Sequence, residues 1–287
     1  MLTQTANFYQ TLTLPHQSPS TVRLRTYTPR AHGCDKRRLI QGAQHCGLCG
    51  GSILHKNWIL TAAHCCVDKG RTLNPADLSF AIGAHYDQSC HYSNLCDDKH
   101  SEYNETRYYG TIVNARRVIP HPDYDYKDSV TKKTFIWDMC LVEVDDMDLN
   151  KNAVAAILPT VHIGDTPTNA ECQTAGWGKT ETRQQSSILL STNIAVMDTG
   201  HCTNSTNRAY ESYDPRYNFC AGSPGHDSCQ GDSGGPLTCL VDGYDVLYGL
   251  TSFGPKGSCG NYNGVLPGVY AKLANGLSWI ENYVPGR

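Results

Sequence analysis

The sequence predicts an all-β fold of the barrel type, closed by one C-terminal helix. Short apolar segments recur along it, at Trp58–Leu60, Phe80–Ala84, Ile112–Ile119, Trp137–Val144, Val246–Ser252 and Gly268–Leu273, separated by Gly- and Pro-containing turns. Many short strands in that rhythm suit a barrel. Helical spacing appears at the end, where Leu277, Ile280, Tyr283 and Val284 precede Pro285, and core packing accounts for that stripe. No long internal repeat shows, which sets solenoids aside.

Residues 1–38 are rich in Thr, Ser, Pro and basic side chains without a helical or alternating period. A largely irregular segment is expected there. It ends in Asp35-Lys36-Arg37-Arg38, a basic run whose plain reading is solvated surface. Cys49 to Leu54 reads as a strand, continued by Trp58-Ile59-Leu60. Tyr86 to Tyr109 is polar and reads as an enlarged loop, with Cys90 and Cys96 close enough to staple it locally. Asp97, Asp98 and Glu102 within it are read as a solvated face rather than a calcium site, and no metal is expected. Ile112–Ile119 is a strand stopped by Pro120, and Trp137–Val144 is a buried strand carrying Asp138.

A chain of 287 residues has room for one large domain or two modest ones. Its net charge of −3 makes no electrostatic case for nucleic acid. No run of eighteen apolar residues supplies a membrane span. Fourteen cysteines without metal-ligand periodicity read as disulfides, hence as secretion into an oxidising compartment. Sequons at Asn104 and Asn204 are candidate glycosylation sites in that setting. Met1 to Gln10 lacks the basic start and apolar core of a secretory leader, so the extracellular expectation rests on the cysteines. Cys46-Gly47-Leu48-Cys49 has the spacing of a redox or zinc motif, but neither a βαβ setting nor a four-ligand set accompanies it.

Three segments carry chemistry. Asp227-Ser228-Cys229-Gln230-Gly231-Asp232-Ser233-Gly234-Gly235-Pro236 sets the Ser233 hydroxyl among glycines. Glycine tolerates positive φ, so backbone N–H groups can be aimed into one small space beside the hydroxyl. Alone, this is an ordinary glycine-rich loop. Leu60-Thr61-Ala62-Ala63-His64-Cys65 supplies an imidazole, alone a surface histidine. Phe135-Ile136-Trp137-Asp138-Met139-Cys140-Leu141-Val142 supplies a carboxylate, alone a strand-end acid. The chain order His, Asp, Ser is one in which a nucleophile, its base and an orienting acid are assembled. With all three in view, the stretch from about Arg38 to Tyr283 resembles the trypsin/chymotrypsin family of serine endopeptidases.

That resemblance implies two six-stranded antiparallel β-barrels packed face to face, N-terminal over 39–157 and C-terminal over 158–287, after a propeptide-like segment 1–38. Only Ala43 to Leu48 separates Gly42 from Cys49, too little for the family's first strand. The expectation is therefore an N-terminal barrel without it. The resemblance further implies a catalytic set of His64, Asp138 and Ser233, with the Gly231 and Ser233 N–H groups as oxyanion donors. Asp227 matches the floor of the primary pocket, Gly254 and Gly268 its open walls, and Ser252 a substrate-binding edge. Cleavage after Arg or Lys follows from an anion in that slot. Leu39-Ile40-Gln41-Gly42 resembles an activation site, which implies a cut after Arg38 and pairing of the Leu39 amine with Asp232. Disulfides Cys49–Cys65, Cys172–Cys239, Cys202–Cys220 and Cys229–Cys259 are implied, while Cys34, Cys46, Cys66 and Cys140 stay open. No cofactor is expected. The implied partners are Arg- or Lys-containing protein substrates, an activating protease and protein inhibitors. The alternative reading is a catalytically impaired homologue serving as an extracellular binding module.

Overall fold

Four residues show how the fold is built. Trp58, Ile59, Leu60 and Thr61 are all buried, although successive side chains of a strand face opposite sides. Ile59 enters a cluster with Val22, Ile53, Phe80, Cys140 and Val142. Trp58 and Leu60 enter another with Leu141, Leu247, Leu250 and Ile280. A strand buried on both faces needs a layer on each side. Here one side is the inside of a barrel and the other is the seam against a second barrel.

The structure, a computed structural model, describes residues 11–12, 21–26, 46–86, 96–97, 110–124, 135–159, 170–182, 184–203, 207–255, 259–260 and 266–286. The first ten strands are β1 (Thr11–Leu12), β2 (Thr21–Thr26), β3 (Cys46–His55), β4 (Trp58–Thr61), β5 (Val67–Asp68), β6 (Arg71–Thr72), β7 (Leu78–Ile82), β8 (Cys96–Asp97), β9 (Thr111–Pro120) and β10 (Cys140–Val144). The rest are β11 (Glu171–Gly176), β12 (Gln185–Ser186), β13 (Leu190–Val196), β14 (Asn218–Gly222), β15 (Pro236–Val241), β16 (Tyr244–Phe253) and β17 (Gly268–Lys272). Two short helices follow Thr199 and Gly276: α1 (Gly200–Thr203) and α2 (Leu277–Glu281).

The first barrel runs β10-β4-β3-β2-β7-β9, with β9 pairing back onto β10. The second runs β13-β11-β15-β16-β17-β14, closed by β13 on β14. β1 is added outside β13, with Thr11 opposite Ser191. The seam between the barrels holds Leu54, Leu141, Leu247 and Leu273, capped by Ile280 and Val284. The helical stripe is shorter than the sequence spacing suggests. α2 stops at Glu281, Val284 is reached through a last N–H bond to the Ile280 carbonyl, and Tyr283 is exposed.

The first barrel is complete, which corrects the expectation of a missing strand; of residues 1–38, expected to be largely irregular, those described are the strand residues 11–12 and 21–26. β2 supplies the strand. It pairs with β3 from Thr21↔Ser52 to Thr26↔Cys46, and with β7 from Arg23↔Ala81 to Thr26↔Leu78. Val22 is fully buried inside the barrel. The short interval before Cys49 cannot hold a strand and its turn, so the strand lies upstream and residues 27–45 connect it to β3. A division at 38/39 therefore cuts the barrel rather than preceding it. Only Val22 and Leu24 interrupt the Thr and Arg residues of this strand. That alternation is too sparse to stand out from the Thr/Ser/Pro-rich surroundings.

A second correction concerns Asp138, which precedes its strand. β10 begins at Cys140. Phe135 and Trp137 have positive φ, 77° and 57°, and the Met139 N–H donates to the Trp137 carbonyl at 2.7 Å, a three-residue turn. The apolar run hides that turn in the sequence. Arg38, Leu39, Cys34, Cys90, Asp98, Glu102, Asn104 and Asn204 lie outside the described residues.

Candidate active site

His64 and Asp138 stand where two paired strands leave the first barrel. β4 ends at Thr61 opposite Cys140, and a single 3-10 turn, Ala63–Cys65, carries the imidazole. The Asp138 carboxylate is fully buried. Its Oδ1 accepts the His64 backbone N–H at 2.9 Å, and its Oδ2 lies 2.8 Å from His64 Nδ1. The Ser252 hydroxyl also donates to Oδ2, at 2.5 Å. Three donors around one carboxylate compensate its burial. They also put the proton of a neutral imidazole on Nδ1, which leaves Nε2 as the free base. About a fifth of the His64 side chain is exposed. Phe135 meets the His64 ring edge-on at 5.5 Å and stacks on Phe253 at 5.2 Å.

The Ser233 turn comes from the second barrel, between Asp227 and β15. Gly234 has φ 75°, and a side chain there would overlap Thr61 and Ala62, so the turn presses directly on the end of β4. Gly231 has φ 107°. The N–H groups of Asp232, Gly234 and Gly235 donate to the carbonyls of Cys229, Thr251 and Asp232. Those of Gly231 and Ser233 donate to nothing among the described residues. The Ser233 carbonyl accepts Gly50 N–H at 2.7 Å and lies 3.7 Å from the sulfur of Cys65, the residue after His64. The two barrels thus meet at the serine. Asp232 is buried. Its oxygens accept Gly178 N–H at 2.7 Å and Cys229 N–H at 2.9 Å. Side chains at 176 or 178 would overlap that carboxylate, hence Gly-Trp-Gly.

Beside the serine opens a cavity of about 200 Å³, lined among others by Asp227, Ser233, Ser252, Phe253, Gly254 and Gly268. Asp227 is buried. Its Oδ2 accepts Gly260 N–H at 3.2 Å, while Oδ1 has no hydrogen-bond partner among the described residues. Burial pushes its pKa up to about 8, with the Asp232 charge adding to the rise and backbone N–H groups opposing it. A Cβ on Gly268 would lie 2.9 Å from Asp227 Oδ1, and one on Gly254 would lie 3.7 Å from the Gly268 backbone. Both glycines therefore keep the approach to the carboxylate open. Ser228, which the sequence reading did not assign, accepts the Tyr270 hydroxyl at 2.9 Å and completes this polar floor.

Disulfides join Cys49–Cys65, Cys172–Cys239, Cys202–Cys220 and Cys229–Cys259. A fifth joins Cys66 to Cys140, two cysteines that spacing left open. Their one signal was adjacency to the His64 and Asp138 motifs. The ligand atoms of Cys49, His64 and Cys65 lie close together, but the two sulfurs are bonded to each other and offer no thiolate to a metal. That bond also removes Cys49 from a Cys-x-x-Cys metal or redox pair. Among the described residues no helix is long and apolar enough to cross a membrane.

The trypsin family model matches residues 26–280. The chain is 30% identical over 242 residues to chymotrypsin-like elastase family member 1 of Macaca fascicularis, covering 82% of this chain and 78% of that protein. It is 30% identical to CLIP domain-containing serine protease B4 of Anopheles gambiae, over 82% of this chain and 62% of that one. It is 31% identical to ovochymase of Halocynthia roretzi, over 81% of this chain and 13% of that one. It therefore spans most of the first relative but under two thirds of the other two. The two closed barrels, the His64 ring held on the buried Asp138 carboxylate and the family match across residues 26–280 agree, and the chain belongs to the trypsin family of serine endopeptidases.

Proposed function

We propose that this chain is a secreted endopeptidase that cleaves after Arg or Lys, using Ser233, His64 and Asp138. The observation that carries this reading is a buried carboxylate, Asp227, with one oxygen unpaired among the described residues, in the same cavity that exposes Ser233. A cationic side chain entering the cavity supplies the partner that Oδ1 lacks. A guanidinium does so with two parallel bonds, which favours Arg over Lys.

In the proposed cycle Ser233 Oγ attacks the scissile carbonyl carbon, and its proton passes to His64 Nε2. Asp138 Oδ2 holds the Nδ1–H and stabilises the imidazolium. The oxyanion takes the two uncommitted N–H groups of Gly231 and Ser233. As the C–N bond breaks, the imidazolium proton goes to the departing amine and leaves an ester on Ser233. Water then attacks the ester and gives its proton to His64 Nε2; the C–Oγ bond breaks, Ser233 Oγ takes that proton back, and the carboxylic acid is released. Ser252 serves twice, as a donor to Asp138 and on the strand edge beside the substrate backbone.

Arg38 is the proposed processing site and Leu39 the proposed amine for Asp232. Because β2 precedes the cut, the product is a two-chain molecule whose N-terminal piece stays held by the β3 and β7 ladders. The sequons at Asn104 and Asn204 are proposed glycan sites on the exported protein, and the five disulfides among the described residues support export. The test is hydrolysis of an arginine anilide and a glutamate anilide by the processed chain and by Ser233→Ala. Turnover of the arginine substrate by the parent alone is expected. Equal turnover by both chains, or no preference between substrates, defeats the reading. N-terminal sequencing that finds no chain starting at Leu39 removes the processing site.

A further inference from the structure

Cys66 and Cys140 flank the two proton-handling residues from outside. β4 and β10 pair as far as Thr61↔Cys140, and beyond that both chains leave the sheet. One continues through Ala62 and Ala63 to His64; the other arrives through Asp138 and Met139. The ladder therefore ends before either side chain that must meet. The Cys66–Cys140 disulfide spans that gap. It turns Thr61–Cys66 into an arch with both feet on Cys140, one through the ladder and one through sulfur. His64 lies within the arch, and Asp138 lies two residues before its common base. Both cysteines are fully buried. Cys65, inside the same arch, is bonded to Cys49, next to the Gly50 whose N–H meets the Ser233 carbonyl.

We propose that the Cys66–Cys140 bridge is a positioning device that holds His64 Nδ1 against Asp138 Oδ2, so that it governs proton transfer rather than substrate binding. The inference rests on the catalytic reading above. A bridge also stabilises a fold by constraining the unfolded chain, to a degree set by loop length. Cys172–Cys239 offers a matched control, because it spans 67 residues against 74 for Cys66–Cys140 and lies in the second barrel.

The experiment compares the parent, Cys66→Ala/Cys140→Ala and Cys172→Ala/Cys239→Ala, each made as the full disulfide-bonded chain and processed in the same way after Arg38. The readouts are arginine-anilide kinetics, arylamidine affinity, denaturant midpoint and the low-field proton resonance of the His64–Asp138 hydrogen bond. Both variants should lose midpoint to a similar extent. Only the first should lose kcat, by tenfold or more, together with the low-field resonance, while KM and amidine affinity stay within twofold. Unchanged kcat and resonance in that variant overturns the proposal, as does an equal kcat loss in the control. If alanines prevent folding, Cys66→Ala/Cys140→Val refills the space. Failure of that chain to fold also overturns it, since the bridge would then be a folding requirement. An inactive parent sinks the peptidase reading instead, and the resonance still decides the fate of the bridge.

Discussion

Asp227→Asn should make the protein more stable, and by an amount that depends on pH. The parent carboxylate is buried, has one oxygen unpaired among the described residues, and titrates near 8 instead of 3.8. Between those two values the folded chain keeps a proton that the unfolded chain has lost. Stability from this group therefore falls as pH rises through the window, and the loss is complete above about 8. A gap of about four pH units at roughly 1.4 kcal/mol each amounts to a cost near 6 kcal/mol in the alkaline limit. That is a large share of the ~5–15 kcal/mol typical of a folded domain. Asn keeps the shape and carries no charge. The Asn chain should match the parent near pH 4 and exceed it progressively, by up to about 6 kcal/mol, at pH 9. Urea midpoints measured in a Ser233→Ala background, which prevents self-digestion, provide the comparison. An arylamidine should close the gap at pH 9 by giving the parent carboxylate a counter-ion, and should do little near pH 4. An Asn–Asp difference that is the same at pH 5 and pH 9 would refute the reasoning, because burial would then not be charging for ionisation.

Three further outcomes follow from the same geometry. Asp227→Ser leaves a bound guanidinium without its buried partner, a loss of about 3–5 kcal/mol, so kcat/KM for an arginine anilide should drop between about 10² and 10⁴-fold with smaller losses on uncharged substrates; an unchanged substrate profile would remove Asp227 from the pocket floor. Ser233→Ala should abolish turnover, by a factor on the order of 10⁶, while arylamidine affinity measured by calorimetry is retained. A chain beginning at Leu39 lacks β2 and should show no cooperative unfolding transition, and Val22→Ala in the full chain should cost roughly 1.5–3 kcal/mol in urea unfolding; a Leu39 chain as stable as the full one would remove β2 from the barrel.

The barrel strands that bury continuous apolar runs were legible, because their composition leaves few alternatives. Trp58–Thr61 and Gly268–Lys272 fall within a residue or two of their expected places. β2 was not legible, since four of its six side chains are Thr or Arg and its pairing is set by neighbours far away in sequence. The turn before Asp138 was hidden for the opposite reason: Ile136, Trp137 and Met139 look like strand residues, whereas positive φ at Phe135 and Trp137 is a tertiary property. At the site, the motifs singled out His64, Asp138, Ser233 and Asp227 as candidates. They could not supply the packing of Phe135 against His64, the role of Ser228 under Tyr270, or the partner of Cys66. Each of these depends on which loops meet across the seam.

Thr11 opposite Ser191 has a consequence for how the molecule is made. As the chain emerges from the ribosome, everything needed for the first barrel is present once Val144 has appeared, yet the two-residue strand that came out earliest has nothing to pair with until Leu190–Val196 arrives. Such distant pairing is entropically late, so the strap across the halves forms near the end. The residues that would cut peptide bonds are divided the same way, with imidazole and carboxylate in the early half and the hydroxyl in the late one. A nascent chain that stops before Ser233 therefore carries the imidazole and the carboxylate without the hydroxyl, and leaves Leu54, Leu60 and Leu141 without the Leu247 and Leu250 that cover them.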